Sequence, residues 1–175
     1  VLTAKSLGIS SFNGLSDVCT DSQGNMYLLD GSKSRLVVVD KEYTVVREIT
    51  SITSPTESFD FTGAQSVYVH TDGTIYICDA ENRRVLMSDS LGNYIGMLTL
   101  PKSNLIPANF RFAPICVAVD SAGYVYVLCD GSYYGAILYT PTLEFAGFYG
   151  SNKVKNTVTQ ALGTMLDRLF VNNAK

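Results

Sequence analysis

Two stretches of the chain superpose without a gap. With Leu15–Ile49 laid over Ala64–Leu98, Gly24, Tyr27, Asp30, Arg35 and Asp40 fall on Gly73, Tyr76, Asp79, Arg84 and Asp89, each 49 positions later. A third copy, Ile115–Phe148, brings Gly123 and Tyr126 to an offset of 50 from the second, and Asp130 follows after one inserted residue. A repeat of whole units outranks any local signal, because each unit must bury an apolar face against its neighbour.

Within each copy the apolar residues alternate, which marks strands rather than helices. In the second copy the alternation predicts strands at Gln65–Val69, Thr74–Cys78, Arg84–Asp89 and Tyr94–Leu98. Between them lie HTDG, AENR and SLGN, whose Gly, Asn, Asp and Ser residues suit tight turns. Four short antiparallel strands per unit of this length describe a β-propeller blade. A β-sandwich would share the strand spacing, but not a gapless repeat of whole four-strand units. The expected fold is therefore all-β: three blades at about 15–50, 64–99 and 114–149, half of a six-bladed ring, within a partial propeller spanning residues 1–150.

Residues 151–175 break the pattern. Val154, Val158, Ala161, Leu162, Met165, Leu166, Leu169 and Phe170 recur at three- and four-residue spacing, which predicts an amphipathic helix packed on the propeller or on a partner segment.

Charge narrows the range of partners. Residues 1–150 carry 9 Lys and Arg against 15 Asp and Glu, a net of −6, so the body lacks the basic field that phosphate backbones require. No nucleic-acid role is expected. Cys19, Cys78, Cys116 and Cys129 form no CxxC pair and sit in apolar, strand-like settings, which reads as buried free thiols. No apolar run reaches the roughly 18 residues of a membrane span. The chain opens on Val1 with no signal-peptide pattern, from which an excerpt of a longer protein is expected.

The stretch GTIYICDAENRRVLMSDSLGNYI resembles an NHL repeat, matching its pattern at Gly73, Tyr76, Asp79, Asn82, Arg84, Val85, Asp89 and Gly92. The first copy matches at Gly24, Tyr27, Asp30, Arg35 and Asp40 but has Lys33 in place of the asparagine. The third has Gly135 for the arginine and Thr140 for the second acid. The resemblance implies the propeller fold; for function it implies only a range, from RNA binders and peptide-modifying lyases to lactonase-like enzymes and interaction scaffolds. FYGSNKV, after the third copy, is similar to a segment of bacterial extracytoplasmic NHL proteins, some of which continue into a Yip-like membrane domain. That similarity implies an extracytoplasmic location, with membrane association through segments outside this sequence.

Candidate chemistry is sparse. His70 is the only histidine and lies in a turn beside Asp72, so neither a histidine metal site nor a Ser–His–acid triad is supported. No phosphate-binding glycine loop, GxSxG or HExxH pattern occurs. No catalytic residue and no cofactor are assigned. The resemblance to lactonase-like propellers leaves calcium as the alternative, with Asp30, Asp79 and Asn82 as oxygen donors and further blades required. The repeated positions Asp30, Arg35, Asp79 and Arg84 read as structural anchors.

Binding has better support. Loops between second and third strands, and links between blades, emerge on one face of a propeller. Here they carry Phe12, Phe59, Phe61, Phe110, Phe112, Tyr133 and Tyr134, and at the tip of the second copy Glu81, Asn82 and Arg83. Aromatic loop residues offer contact area at low entropy cost. Tyr133, Tyr134, Glu81, Asn82, Arg83, Phe12 and Phe110 are the candidate ligand contacts, for a protein, peptide or glycan. Because three blades do not close a ring, self-association as a homodimer or docking to further blades is also expected.

Overall fold

The computed structural model describes residues 3–150. Each alternating segment forms a strand, and each copy closes into one antiparallel meander. Blade one comprises β1 (Asp17–Thr20), β2 (Met26–Asp30), β3 (Arg35–Val39) and β4 (Val45–Ile49), in that spatial order. A two-stranded hairpin follows, β5 (Ile52–Thr53) and β6 (Ser58–Phe59). Blade two comprises β7 (Ser66–Val69), β8 (Ile75–Asp79), β9 (Arg84–Ser88) and β10 (Tyr94–Leu98). Blade three comprises β11 (Pro114–Val119), β12 (Val125–Cys129), β13 (Ala136–Tyr139) and β14 (Phe145–Tyr149). The chain thus folds as β-propeller blades, with strand bounds within a residue of those read from the alternation in blade two. The helix expected at 151–175 lies outside the described residues.

The turns repeat as faithfully as the strands. Asp21, Asp40, Asp89 and Asp120 each accept two backbone N–H groups, two and four residues on, through one carboxylate oxygen. Three residues beyond each acid the backbone is left-handed: Gly24, Tyr43, Gly92 and Gly123 have φ of 87°, 64°, 87° and 85°. Thr140 takes the acid's place in blade three, its hydroxyl accepting from Glu144 N–H, with Leu143 at φ 63°. In blade two His70 holds the position without a side-chain bond to the turn, and Asp72 accepts from Thr74 N–H at 2.8 Å instead, with Gly73 at φ 88°.

The blades stack face to face. Blade one turns Tyr27, Leu29, Leu36 and Val38 towards Val67, Val69, Ile75, Ile77 and Leu86 of blade two. Blade two turns Tyr76, Cys78, Val85 and Met87 towards Val117, Val125, Val127 and Ile137 of blade three. Backbone partners cross both seams: Asp17 accepts from Val67 N–H at 3.0 Å, and the Tyr68 hydroxyl donates to the Val119 carbonyl at 3.1 Å. At blade one the link to blade two runs so close that a side chain on Gly31 would meet the Ala64 carbonyl oxygen at 2.1 Å.

The two outer faces of the stack differ. On blade one, Leu28, Val37 and Val39 are buried beneath Leu7, Ile9 and Phe12 of the segment that leads into β1. On blade three the corresponding far face carries no such cover among the described residues. Among the described residues no helix is long and apolar enough to cross a membrane.

Candidate functional site

The repeated acid–arginine pair has a definite job in the first two blades. In blade one Arg35 pairs with Asp30 at 3.1 Å, both groups buried, and donates onward to the Ser10 hydroxyl and to the Ser10 and Ser11 carbonyls. Its guanidinium lies 5.1 Å from the Phe12 ring centroid. In blade two Arg84 pairs with Asp79 at 2.7 Å, donates to the Asp60 carbonyl at 2.8 Å and lies 5.2 Å from the Phe59 centroid. Each arginine therefore fastens the preceding link, which crosses the loop face, onto its own blade. Arginine suits the task because its planar fork satisfies a carboxylate and carbonyls at once while stacking on an aromatic ring.

Blade three lacks the device altogether. Tyr27 pairs with Val38, Tyr76 with Met87 and Tyr126 with Leu138, so the register position held by Asp30 and Asp79 falls on Cys129. The alignment that gave this role to Asp130 is corrected by one residue. Cys129 is 2% exposed and packs in the seam with blade two, whereas Asp130 is exposed. The inserted residue lengthens the β12–β13 loop instead, and Gly135, at the arginine's position, turns the chain into β13 with φ of 83°. Where blade two stacks Arg84 on Phe59, blade three stacks Tyr134 near Phe110 at 6.3 Å, with Phe148 5.8 Å from Phe110 and 5.5 Å from Tyr134. An aromatic cluster replaces a charge-assisted clamp.

The exchange opens a groove. A cavity of about 370 Å3 is lined by Asn109, Phe110, Arg111, Asp130, Gly131, Ser132, Tyr133 and Tyr134. A second, of about 390 Å3, is lined by Gln65, Ala80, Glu81, Arg111, Ala113, Ile115 and Asp130. Arg111 and Asp130 line both, so the two form a continuous surface from the tyrosines of blade three to the loop tip of blade two. Charges alternate along it (Glu81, Arg111, Asp130), and none of the three is in an ion pair within the described residues.

The sequence candidates divide sharply. Tyr133 is 92% exposed and Tyr134 45%, both on the groove. Phe110 is half-buried at its floor, and Glu81 lines its far end. Asn82 instead turns inward: its amide donates to both Asp79 oxygens at 3.0 Å. Arg83 is exposed with a left-handed φ of 55°, outside the two cavity walls. Phe12 lies beneath Arg35 in the covering segment, away from the groove. Phe61 and Phe112 are 0% and 2% exposed and plug the seams between blades. Sequence reasoning missed Arg111 and Asp130 as lining residues. A signal existed: Phe59-Asp60-Phe61 recurs as Phe110-Arg111-Phe112, with an arginine where the acid stood.

Reactive chemistry is poorly served here. Burial pushes the Cys19 and Cys129 thiols up to about 11 and Cys78 well above its ordinary value, which leaves them as protonated, weak nucleophiles. Among the described residues no group of three or more His, Cys, Asp or Glu side chains is placed to hold a metal. The oxygens of Asp30 and Asp79, imagined as calcium ligands, already accept from Asn13, Ser32 and Arg35, and from Asn82 and Arg84. A larger cavity of about 670 Å3 lies at the outer edge between blades two and three, walled by Met97–Ser103, Tyr139 and Leu143–Phe145. It brings only Lys102 and Glu144 as charged groups.

No family model matches the chain, and the search of curated proteins returned no match. Several solved structures share the fold. Hydrazine synthase of Kuenenia stuttgartiensis superposes with a TM-score of 0.58 at 15% identity, over 81% of this chain and 38% of that one. A streptogramin B lyase gives 0.58 at 12% identity, over 80% and 42%. A catalytically inactive virginiamycin B lyase of Staphylococcus aureus, solved with quinupristin, gives 0.55 at 14% identity, over 78% and 41%. The chain thus spans about two fifths of the length of each, and at these identities the likeness concerns the fold.

Proposed function

We propose that this chain is a non-catalytic binding module that holds a protein, peptide or glycan on the loop face of blade three. The observation that carries the reading is the replacement of the acid–arginine clamp by an open groove. Tyr133 is 92% exposed there, on a loop one residue longer than its counterparts, and nothing within the described fold uses its ring. A large amphipathic side chain held in water without a structural partner suits a contact surface. The half-buried Phe110 supplies an apolar floor, and Glu81, Arg111 and Asp130 supply donors and acceptors that fix orientation.

The NHL resemblance belongs to this reading, as does a location outside the cytoplasm. NHL-like propellers serve as interaction scaffolds, and the match of Gly73, Tyr76, Asp79, Asn82 and Arg84 to that pattern supports membership. The experiment is a selection of random displayed peptides and a glycan array, both probed with the wild-type chain and with Tyr133→Ala/Tyr134→Ala. Ligands that lose at least tenfold in affinity for the double variant, with its circular dichroism unchanged, support the groove. Ligands that bind both proteins equally place recognition elsewhere.

A further inference from the structure

We infer that the cavity at the outer rim between blades two and three docks an extended segment of a partner protein. That segment carries an aliphatic residue with an acidic and a basic residue beside it. The slot is separate from the loop-face groove, and a comparison of the two seams at the rim carries the inference. Between blades one and two the chain fills this place itself. Ile52 is 0% exposed, the Thr53 N–H donates to the Gly92 carbonyl at 3.0 Å, and Thr53 forms a parallel bridge with Asn93. Gly92 permits the approach: a side chain there would meet Ile49 Cγ2 at 3.0 Å and the Ser51 carbonyl oxygen at 3.5 Å.

Blade three has Leu143 where blade two has Gly92, held in the same left-handed region with φ of 63° against 87°. Extending the 49-residue offset puts Leu98, Pro101 and Lys102 at the places of Ile49, Ile52 and Thr53. These three do not close the seam. With Leu143, Glu144 and Phe145 they wall a cavity of about 670 Å3. Among the described residues no main-chain N–H from the link between blades two and three reaches the Leu143 carbonyl. The wall is anchored from beneath, where Tyr139, 3% exposed, donates to the Thr99 carbonyl at 2.9 Å and fixes the start of the link. A leucine at positive φ is a strain that the sister turn avoids with glycine, and strain of this kind is kept where it serves a site.

The filled seam sets the chemistry of the occupant. An extended segment offers the Leu143 carbonyl the N–H that Thr53 gives Gly92, as an added strand does at a sheet edge. Its aliphatic side chain takes the part of Ile52. Lys102 and Glu144 stand on the walls without an ion pair within the described residues, and they match an acid and a base on the segment. Residues 151–175 follow Tyr149, at the other end of β14 from Phe145, and their three- and four-residue apolar spacing does not suit an extended segment.

Random displayed peptides are selected on the full chain, and those recovered are measured against Leu143→Gly, Lys102→Glu and Tyr133→Ala/Tyr134→Ala. Leu143→Gly relieves the left-handed leucine and lets the link close as it does between blades one and two; Lys102→Glu reverses the charge of one wall. The expected result is peptides with an aliphatic residue between charged neighbours that lose at least about tenfold in affinity for both slot variants and bind the tyrosine variant unchanged. The same peptides protect the amides of residues 99–103 and 143–145 from hydrogen exchange. A selection that yields no peptide with this pattern of losses overturns the inference, even where peptides sensitive to the tyrosine variant support the loop-face groove. So does a crosslink from benzoylphenylalanine at position 102, with no peptide added, to residues 151–175 or to a second copy.

Discussion

Blades two and three share strand order, the left-handed turn position and the tyrosine of the second strand, yet their loop faces are built on different principles. In blade two an ion pair ties the incoming link down, and the loop tip folds back on itself through Asn82. In blade three both members of the pair are gone, and Phe110, Tyr134 and Phe148 hold the link by packing while Tyr133 and Asp130 are left to water. The contrast teaches that a repeat position can be released for binding only when something else takes over its structural task. The aromatic cluster is that substitute.

The largest effects should come from breaking the clamp where it exists. Arg35→Ala strands a carboxylate that is 0% exposed, and breaking such a buried pair costs about 3–5 kcal/mol in denaturant unfolding. Arg84 is 17% exposed, so Arg84→Ala should cost less, about 2 kcal/mol. Asp79→Cys with Arg84→Gly copies blade three, leaves no orphaned charge, and should cost less than Arg84→Ala alone. A double variant worse than the single would show that blade three tolerates the loss for some other reason.

Next comes the aromatic substitute. Phe110→Ala removes the ring that Tyr134 and Phe148 both touch and should cost about 2–3 kcal/mol, below the full-burial value because Phe110 is half-buried. Tyr133→Ala should change stability by less than about 0.5 kcal/mol, since its ring is exposed. Equal costs for the two would mean that the loop is structural throughout.

Acid sharpens the comparison at the turns. Slight burial works to raise Asp21, Asp89 and Asp120, but hydrogen bonds from Asn25, Asn93 and Tyr124 and their neighbours outweigh it, and all three carboxyls end below their ordinary value. A carboxyl lowered in the folded state stabilises above its unfolded pKa, about 3.9, and that stability is lost as pH falls through the folded value. Tm should therefore fall on acidification more steeply in the wild type than in Asp120→Asn. Parallel curves would remove Asp120 from the account. One local change should act in the opposite direction: Tyr43→Gly, at φ 64°, should stabilise by about 1 kcal/mol, because a side chain gains nothing from a left-handed backbone here.

The blades were legible because their signal is redundant: three copies, each with alternating strands and an Asp or its stand-in two residues before a turn's first bonded N–H. Tyr27, Tyr76 and Tyr126 alone fix the register. The β5–β6 hairpin escaped notice because it occurs only once among the described residues, closed by Ser54 and Glu57 around Pro55. The shift from Asp130 to Cys129 was hidden for a related reason. One inserted residue can be drawn on either side of an acid, and only strand pairing tells which side is the loop. The tyrosines of the groove were readable as loop aromatics, but Arg111 and Asp130 become neighbours only when the link crosses blade three.

Amide hydrogen exchange with a selected ligand bound compares the two loop faces directly. The account predicts protection at residues 109–111 and 130–135, and none at 31–34, where the clamp already occupies the surface. Protection confined to 31–34, or spread equally over both loops, would contradict it.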